Sequence, residues 1–127
     1  MIGVVIMDKN MLVLAYLGDS IYETYIRKYL IDKGICKVKE LQEESIKYVS
    51  ANAQAKYLQE MIDDEFLTED ELSIVKCARN HKSNHKPKNC DIITYKCATG
   101  FEALIGYLYY KSEFTRIGEV INYIIGR

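Results

Sequence analysis

The 127-residue chain has one proline, no tryptophan, seven glycines and no apolar run long enough to cross a membrane. With Pro87 alone, almost nothing interrupts helices, and the apolar residues recur with the 3.6-residue period rather than in alternation. The expected fold class is therefore all-α. The four cysteines, Cys36, Cys77, Cys90 and Cys97, lie 41, 13 and 7 positions apart without a CxxC pair, which argues against a disulfide framework. The opening MIGVVIM lacks a preceding basic region and runs directly into Asp8 and Lys9, so no secretory leader is expected. Reduced thiols and a cytoplasmic location follow as expectations. A formal net charge of −1 argues against bulk attraction to nucleic acid.

What is present is an ordinary globular composition, 49% hydrophobic and 28% charged, sufficient for one domain over residues 1–127. The small net charge hides an asymmetry. Residues 40–72 hold ten acids against Lys47 and Lys56, whereas residues 76–96 hold Lys76, Arg79, Lys82, Lys86, Lys88 and Lys96 against Asp91 alone. A concentrated basic segment in a neutral protein is a candidate anion site.

The periodicity predicts helices near residues 10–32, 39–62, 69–80, 91–110 and 113–125, five to seven in all. The second is expected to break near Ser50, a suitable N-cap, and Gly34 suits the end of the first. TEDEL at Thr68 reads as a capping box with Glu71, which makes much of the local acidity structural. The polar stretch RNHKSNHKPKNCD reads as a loop, with Asp91 capping the next helix.

Two helices carry residues that do not fit a plain core. In LAYLGDSIYETYIRKYL, Leu14, Leu17, Ile21 and Tyr25 form an apolar face extended by Tyr22, Ile26 and Tyr29, yet Gly18 and Asp19 interrupt the helix. Asp19, Glu23 and Arg27 then form a polar stripe at i, i+4, i+8, which spacing alone reads as a solvated face with a Glu23 to Arg27 ion pair. In ATGFEALIGYLYY, Glu102 is the one carboxylate among core-like residues and requires a cation, a hydrogen-bond network or a path to water. An Arg or Lys partner is the plain reading. Two carboxylates on core helices with a basic loop between them also suit a hard metal ion facing a phosphate. A different possibility is zinc held by Cys77, His81, His85 and Cys90, although the C-x3-H-x3-H-x4-C spacing matches no usual framework.

LAYLGDSIY resembles the signature segment of the ribonuclease III family, RNHKSNHKPKN resembles the basic loop of its Mini-III branch, and ATGFEALIGYLY resembles the family's second acidic motif. The three occur in family order between Met11 and Tyr110. The resemblance implies a single all-helical catalytic domain of the ribonuclease III type, with no appended double-stranded RNA-binding domain. It further implies a magnesium-dependent homodimeric endoribonuclease, with Mn2+ as a possible substitute ion, that cuts double-stranded RNA and matures precursor 23S ribosomal RNA. Asp19 and Glu102 match the family's metal-associated acids and are the implied catalytic and metal-binding residues. Ala15 and Thr99 stand where full-length members have a glutamate and an aspartate, departures typical of the branch. Arg79, Asn80, Lys82, Ser83, Pro87, Lys88 and Asn89 match the loop, and Lys86 is a local addition. Contact with phosphates and 2′-hydroxyls is the implied role for Arg79, Asn80, Lys82, Ser83, Lys86, Lys88 and Asn89. Tyr22, Ile26, Tyr29 and Tyr107 to Tyr110 offer apolar area for a two-fold contact, or simply for the core. The two missing acids also motivate an alternative, a non-catalytic helical RNA-binding or ribosome-assembly factor, against which retention of Asp19 and Glu102 speaks.

Overall fold

The computed structural model describes residues 10–81 and 90–126, which form six helices. They are α1 (Met11–Asp32), α2 (Val38–Val49), α3 (Ala51–Asp63), α4 (Glu69–Arg79), α5 (Ile92–Tyr110) and α6 (Phe114–Ile125). None of the described helices is long and apolar enough to cross a membrane. The all-helical expectation holds, and the predicted boundaries lie within one or two residues of those observed.

Local chemistry accounts for most helix ends. Asn10, Ser50, Thr68 and Asp91 each accept a hydrogen bond from a backbone N–H in the first turn of α1, α3, α4 and α5, satisfying donors that have no partner within the helix. At Thr68 the capping box is complete, because the Glu71 side chain accepts in return from the Thr68 amide at 2.9 Å. Ser50 also terminates α2, and its extended backbone (φ −64°, ψ 156°) breaks one predicted helix into two. The last carbonyls of α2 are taken up by side chains: Lys47 by the Tyr57 hydroxyl, Tyr48 by the Tyr22 hydroxyl and Val49 by the Gln54 amide.

Three helices end in the same way. Gly34, Glu65 and Ser112 have positive φ (103°, 55° and 60°), and in each case the next amide reaches back to the carbonyl five residues earlier. Glycine occupies only the first of these sites. A side chain in the left-handed region costs roughly 1–2 kcal/mol. Glu65→Gly is therefore expected to raise stability by about 0.5–1 kcal/mol once the extra entropy of a glycine in the unfolded chain is subtracted. A urea midpoint equal to or below that of the wild type would contradict this account.

Helix α5 is the axis of the fold, packed most extensively against α1 and then against α4 and α3, with α6 laid over its C-terminal half. From Ala98 to Leu108 every residue of α5 except Glu102 is buried. Tyr22 of α1 meets Phe101 edge to face at 4.8 Å, both rings fully out of water. The buried stripe of α1 runs through Leu14, Ala15, Gly18, Tyr22, Ile26 and Leu30, so it is centred on the glycine, while Leu17, Ile21 and Tyr25 are only half-buried. The apolar face expected from sequence is thus rotated toward Gly18.

The reason is backbone contact between α1 and α5. A Cβ added at Gly18 would lie 1.8 Å from the Glu102 carbonyl oxygen, and one at Gly106 would lie 1.9 Å from the Leu14 carbonyl oxygen. The two glycines face each other across the crossing and let the helices approach more closely than any side chain permits.

Candidate active site

The glycine crossing fixes what lies beside it. Asp19 follows Gly18 on α1, and Glu102 stands one turn before Gly106 on α5. Both carboxylates consequently border one open cleft of about 330 Å³, walled by Leu12, Ala15, Tyr16 and Asp19 from α1 and by Tyr95, Thr99 and Glu102 from α5. Residues 83 positions apart in the chain are brought together. All four positions singled out by sequence, Ala15, Asp19, Thr99 and Glu102, line this cleft, two with carboxylates and two without. The Thr99 hydroxyl is already committed to the Tyr95 carbonyl at 3.0 Å.

The two acids sit in different surroundings. Asp19 is exposed, whereas Glu102 is half-buried. Burial first, and then the Asp19 carboxylate beside it, push the Glu102 carboxyl up to about 8. The expected Arg or Lys partner is not there among the described residues; the donor is the Gln54 amide, 3.4 Å from Oε2. The solvated ion pair read from the polar stripe does exist between Glu23 and Arg27, at 3.6 Å, but Asp19 stands apart from it on the cleft wall.

Two crowded carboxylates form an oxygen donor set that favours a divalent cation, because the ion cancels the repulsion that raises Glu102. No third His, Cys, Asp or Glu joins them among the described residues. Two protein carboxylates are enough for Mg2+, which commonly keeps several waters, and the donor set fits that ion. Cys77, His81 and Cys90 do not assemble into a metal cluster with other described residues, and His85 lies outside them.

Among the loop residues, Arg79 ends α4 half-buried and Asn80 caps it, exposed. Lys82, Ser83, Lys86, Lys88 and Asn89 lie outside the described residues. The residues flanking that segment are informative. His81 on one side and Ile92 on the other share a small cavity with Leu12, Tyr95, Lys96 and Thr99, three of which also wall the carboxylate cleft. The basic segment therefore departs from and returns to the margin of the site.

Three neighbours escaped the sequence reading as site residues. Lys96 brings a cation to the adjoining cavity, Tyr16 lines the cleft with 84% of its surface exposed, and Gln54 touches Glu102 from a buried position on α3. A signal for Gln54 was available, since it occupies the first place of the core stripe Gln54, Leu58, Met61, where an apolar residue is expected. Its Oε1 is buried without a hydrogen-bond partner among the described residues, which costs about 1–3 kcal/mol. Of the aromatic and apolar residues suggested for a two-fold contact, Tyr22, Ile26 and Tyr107 are core, while Tyr109 and Tyr110 are exposed. Other exposed apolar side chains are Tyr16 on the cleft wall and Ile92 at the adjoining cavity, with Val13 on α1 and Ile93 on α5 also exposed.

Comparison with known proteins places this fold in a family. Residues 12–113 match the family model described as the ribonuclease III domain. The chain is 43% identical to a Mini-ribonuclease 3 of Streptococcus pneumoniae over 91% of each chain. It is 48% identical to that of Enterococcus faecalis, over 91% of this chain and 88% of the relative. A crystal structure of a Fusobacterium nucleatum protein superposes with a TM-score of 0.85 at 34% identity, covering 94% of this chain and 96% of the other. The chain belongs to the ribonuclease III family, in its Mini-ribonuclease 3 branch.

Proposed function

We propose that this endoribonuclease cuts double-stranded RNA with Mg2+ held through Asp19 and Glu102, and that it acts in the cytoplasm as a homodimer on the stems of precursor 23S ribosomal RNA. The observation that carries the reading is the meeting of two carboxylates, with no cation between them among the described residues, on an open cleft at the margin of the basic segment. Bound there, the ion supplies a polarised water and neutralises charge developing on a phosphodiester. Mn2+ has the same oxygen preference and is the natural substitute.

The chain's own residues do the remaining work. Asp19 and Glu102 supply the carboxylate oxygens, while Ala15 adds no donor and Thr99 is turned to its own helix, leaving room for water and phosphate oxygens. Arg79, Asn80 and Lys96, together with Lys82, Ser83, Lys86, Lys88 and Asn89, hold the duplex by its phosphates and sugars. Hydrolysis leaves a 5′-phosphate and a 3′-hydroxyl. In the homodimer, the exposed apolar group of Val13, Tyr16, Ile92 and Ile93 lies against its two-fold copy and sets two clefts against the two strands. A merely RNA-binding or assembly role has no use for a carboxylate set beside Glu102 that pushes it up.

The test is cleavage of an end-labelled RNA duplex in Mg2+ by the wild type, Asp19→Asn and Glu102→Gln. Each substitution is expected to lower the rate on the order of 10²-fold or more, comparable to losing one preorganised electrostatic group, with unfolding midpoints no lower than that of the wild type. Failure of the wild type to cut, or cutting by either variant at the wild-type rate, would refute the assignment.

A further inference from the structure

We propose that Gln54 is a positioning residue for Glu102, holding one oxygen of that carboxylate so that the other is presented to the ion in the cleft. The inference rests on the reading of Asp19 and Glu102 as the metal-binding pair. Gln54 lies on the first turn of α3, immediately after the break at Ser50, and is 2% exposed. Its amide nitrogen donates to the Val49 carbonyl at 3.0 Å and to Glu102 Oε2 at 3.4 Å. The Val49 carbonyl is the last of α2, so this first bond fixes which edge of the amide faces α5: a flipped amide would set oxygen against oxygen. The donor edge is thereby locked toward Glu102 by the backbone break itself.

Stability alone does not explain a glutamine here. The position belongs to a core stripe with Leu58 and Met61, and the amide oxygen is left buried without a partner among the described residues. A leucine or methionine would fill the same space without an orphaned acceptor, and such local conflicts collect at functional sites. What glutamine adds, and leucine cannot, is a fixed N–H donor on a carboxylate that accepts from no other N–H among the described hydrogen bonds. Groups that orient a metal-binding side chain commonly change metal affinity or activity 10- to 100-fold when removed.

The decisive experiment compares Gln54→Leu, Gln54→Met and Glu102→Gln with the wild type. Calorimetric titration of the RNA-free protein measures Mg2+ affinity, urea unfolding measures stability, and cleavage is measured across Mg2+ concentrations. Both Gln54 variants are expected to unfold at or above the wild-type midpoint, to bind Mg2+ about tenfold more weakly or worse, and to recover much of their cleavage at high Mg2+. Glu102→Gln is expected not to recover. Wild-type Mg2+ affinity and cleavage in both Gln54 variants would overturn the proposal, as would large and equal losses of folding stability in both, since the amide would then be structural. Intact Mg2+ binding and cleavage in Glu102→Gln would instead bring down the underlying site.

Discussion

Gly18→Ala is expected to destabilise the protein by more than about 3 kcal/mol, beyond the usual range for one added methyl group in a core. The new Cβ would meet the Glu102 carbonyl oxygen at 1.8 Å and the Gly106 amide nitrogen at 2.7 Å. Both are backbone atoms, which cannot rotate aside as a side chain can. The helices must part by roughly 1.5 Å to restore an ordinary C···O contact. That movement loosens the Tyr22 to Phe101 packing and the whole buried stripe of α1, a large share of the 5–15 kcal/mol that holds a typical domain together. Cleavage should fall further than the folded fraction does, because the atom struck belongs to Glu102 itself. Gly118→Ala serves as the control: nothing lies within 4 Å of its added Cβ, and an alanine inside α6 should stabilise by about 0.5–1 kcal/mol. Urea unfolding followed by circular dichroism separates the two, and a Gly18→Ala midpoint close to that of the wild type would sink the close-crossing account.

Arg116→Met should cost about 3 kcal/mol, near the lower end for leaving a buried charge unpaired, because Arg116 keeps about a fifth of its side chain in water. The guanidinium grips Glu71 with two hydrogen bonds of 2.8 Å, donates to the Phe66 carbonyl at 2.7 Å and stacks on the Phe66 ring. It thereby ties α6 to the turn before α4. Burial by itself would raise the Glu71 carboxyl, but the Arg116 hydrogen bonds and the Thr68 amide outweigh burial and hold it below its ordinary value of 4.5. A carboxyl depressed in the folded state contributes stability that is fully present above its unfolded value and is lost as pH falls through the folded value. The wild type should therefore lose this contribution below about pH 4.5. In Arg116→Met the same carboxyl is buried without its cation and prefers the proton, so the gap between the two proteins should narrow as pH falls through that region. Glu71→Gln in the Arg116→Met background should recover part of the loss at neutral pH. A gap that is constant between pH 4 and 7 would show that Glu71 ionisation is not its source.

These two substitutions mark a boundary in what the sequence makes legible. The capping box at Thr68, the caps at Ser50 and Asp91, and the glycine turn at Gly34 are local interactions spanning a few residues, so their signals are written contiguously. The pair formed by Glu71 and Arg116 is not, because its partners are 45 positions apart and each alone resembles an ordinary surface charge. Asp19 behaves likewise. Its spacing with Glu23 and Arg27 describes a solvated stripe correctly as far as it goes, since that ion pair forms, yet spacing on one helix contains no information about the helix that crosses it.

The sequence is sufficient for six helical segments, their ends and the family to which they belong, because periodicity, caps and motifs act over one or a few turns. Which face of α1 is inward, and which residues border the cleft, depends on contacts between distant segments. Gly18 and Gly106 allow the backbones of α1 and α5 to touch, and that approach turns the buried stripe, draws Asp19 to the side of Glu102 and leaves Gln54 as the donor that Glu102 meets. No local pattern encodes such a crossing, because its geometry is set jointly by two surfaces that become neighbours only on folding.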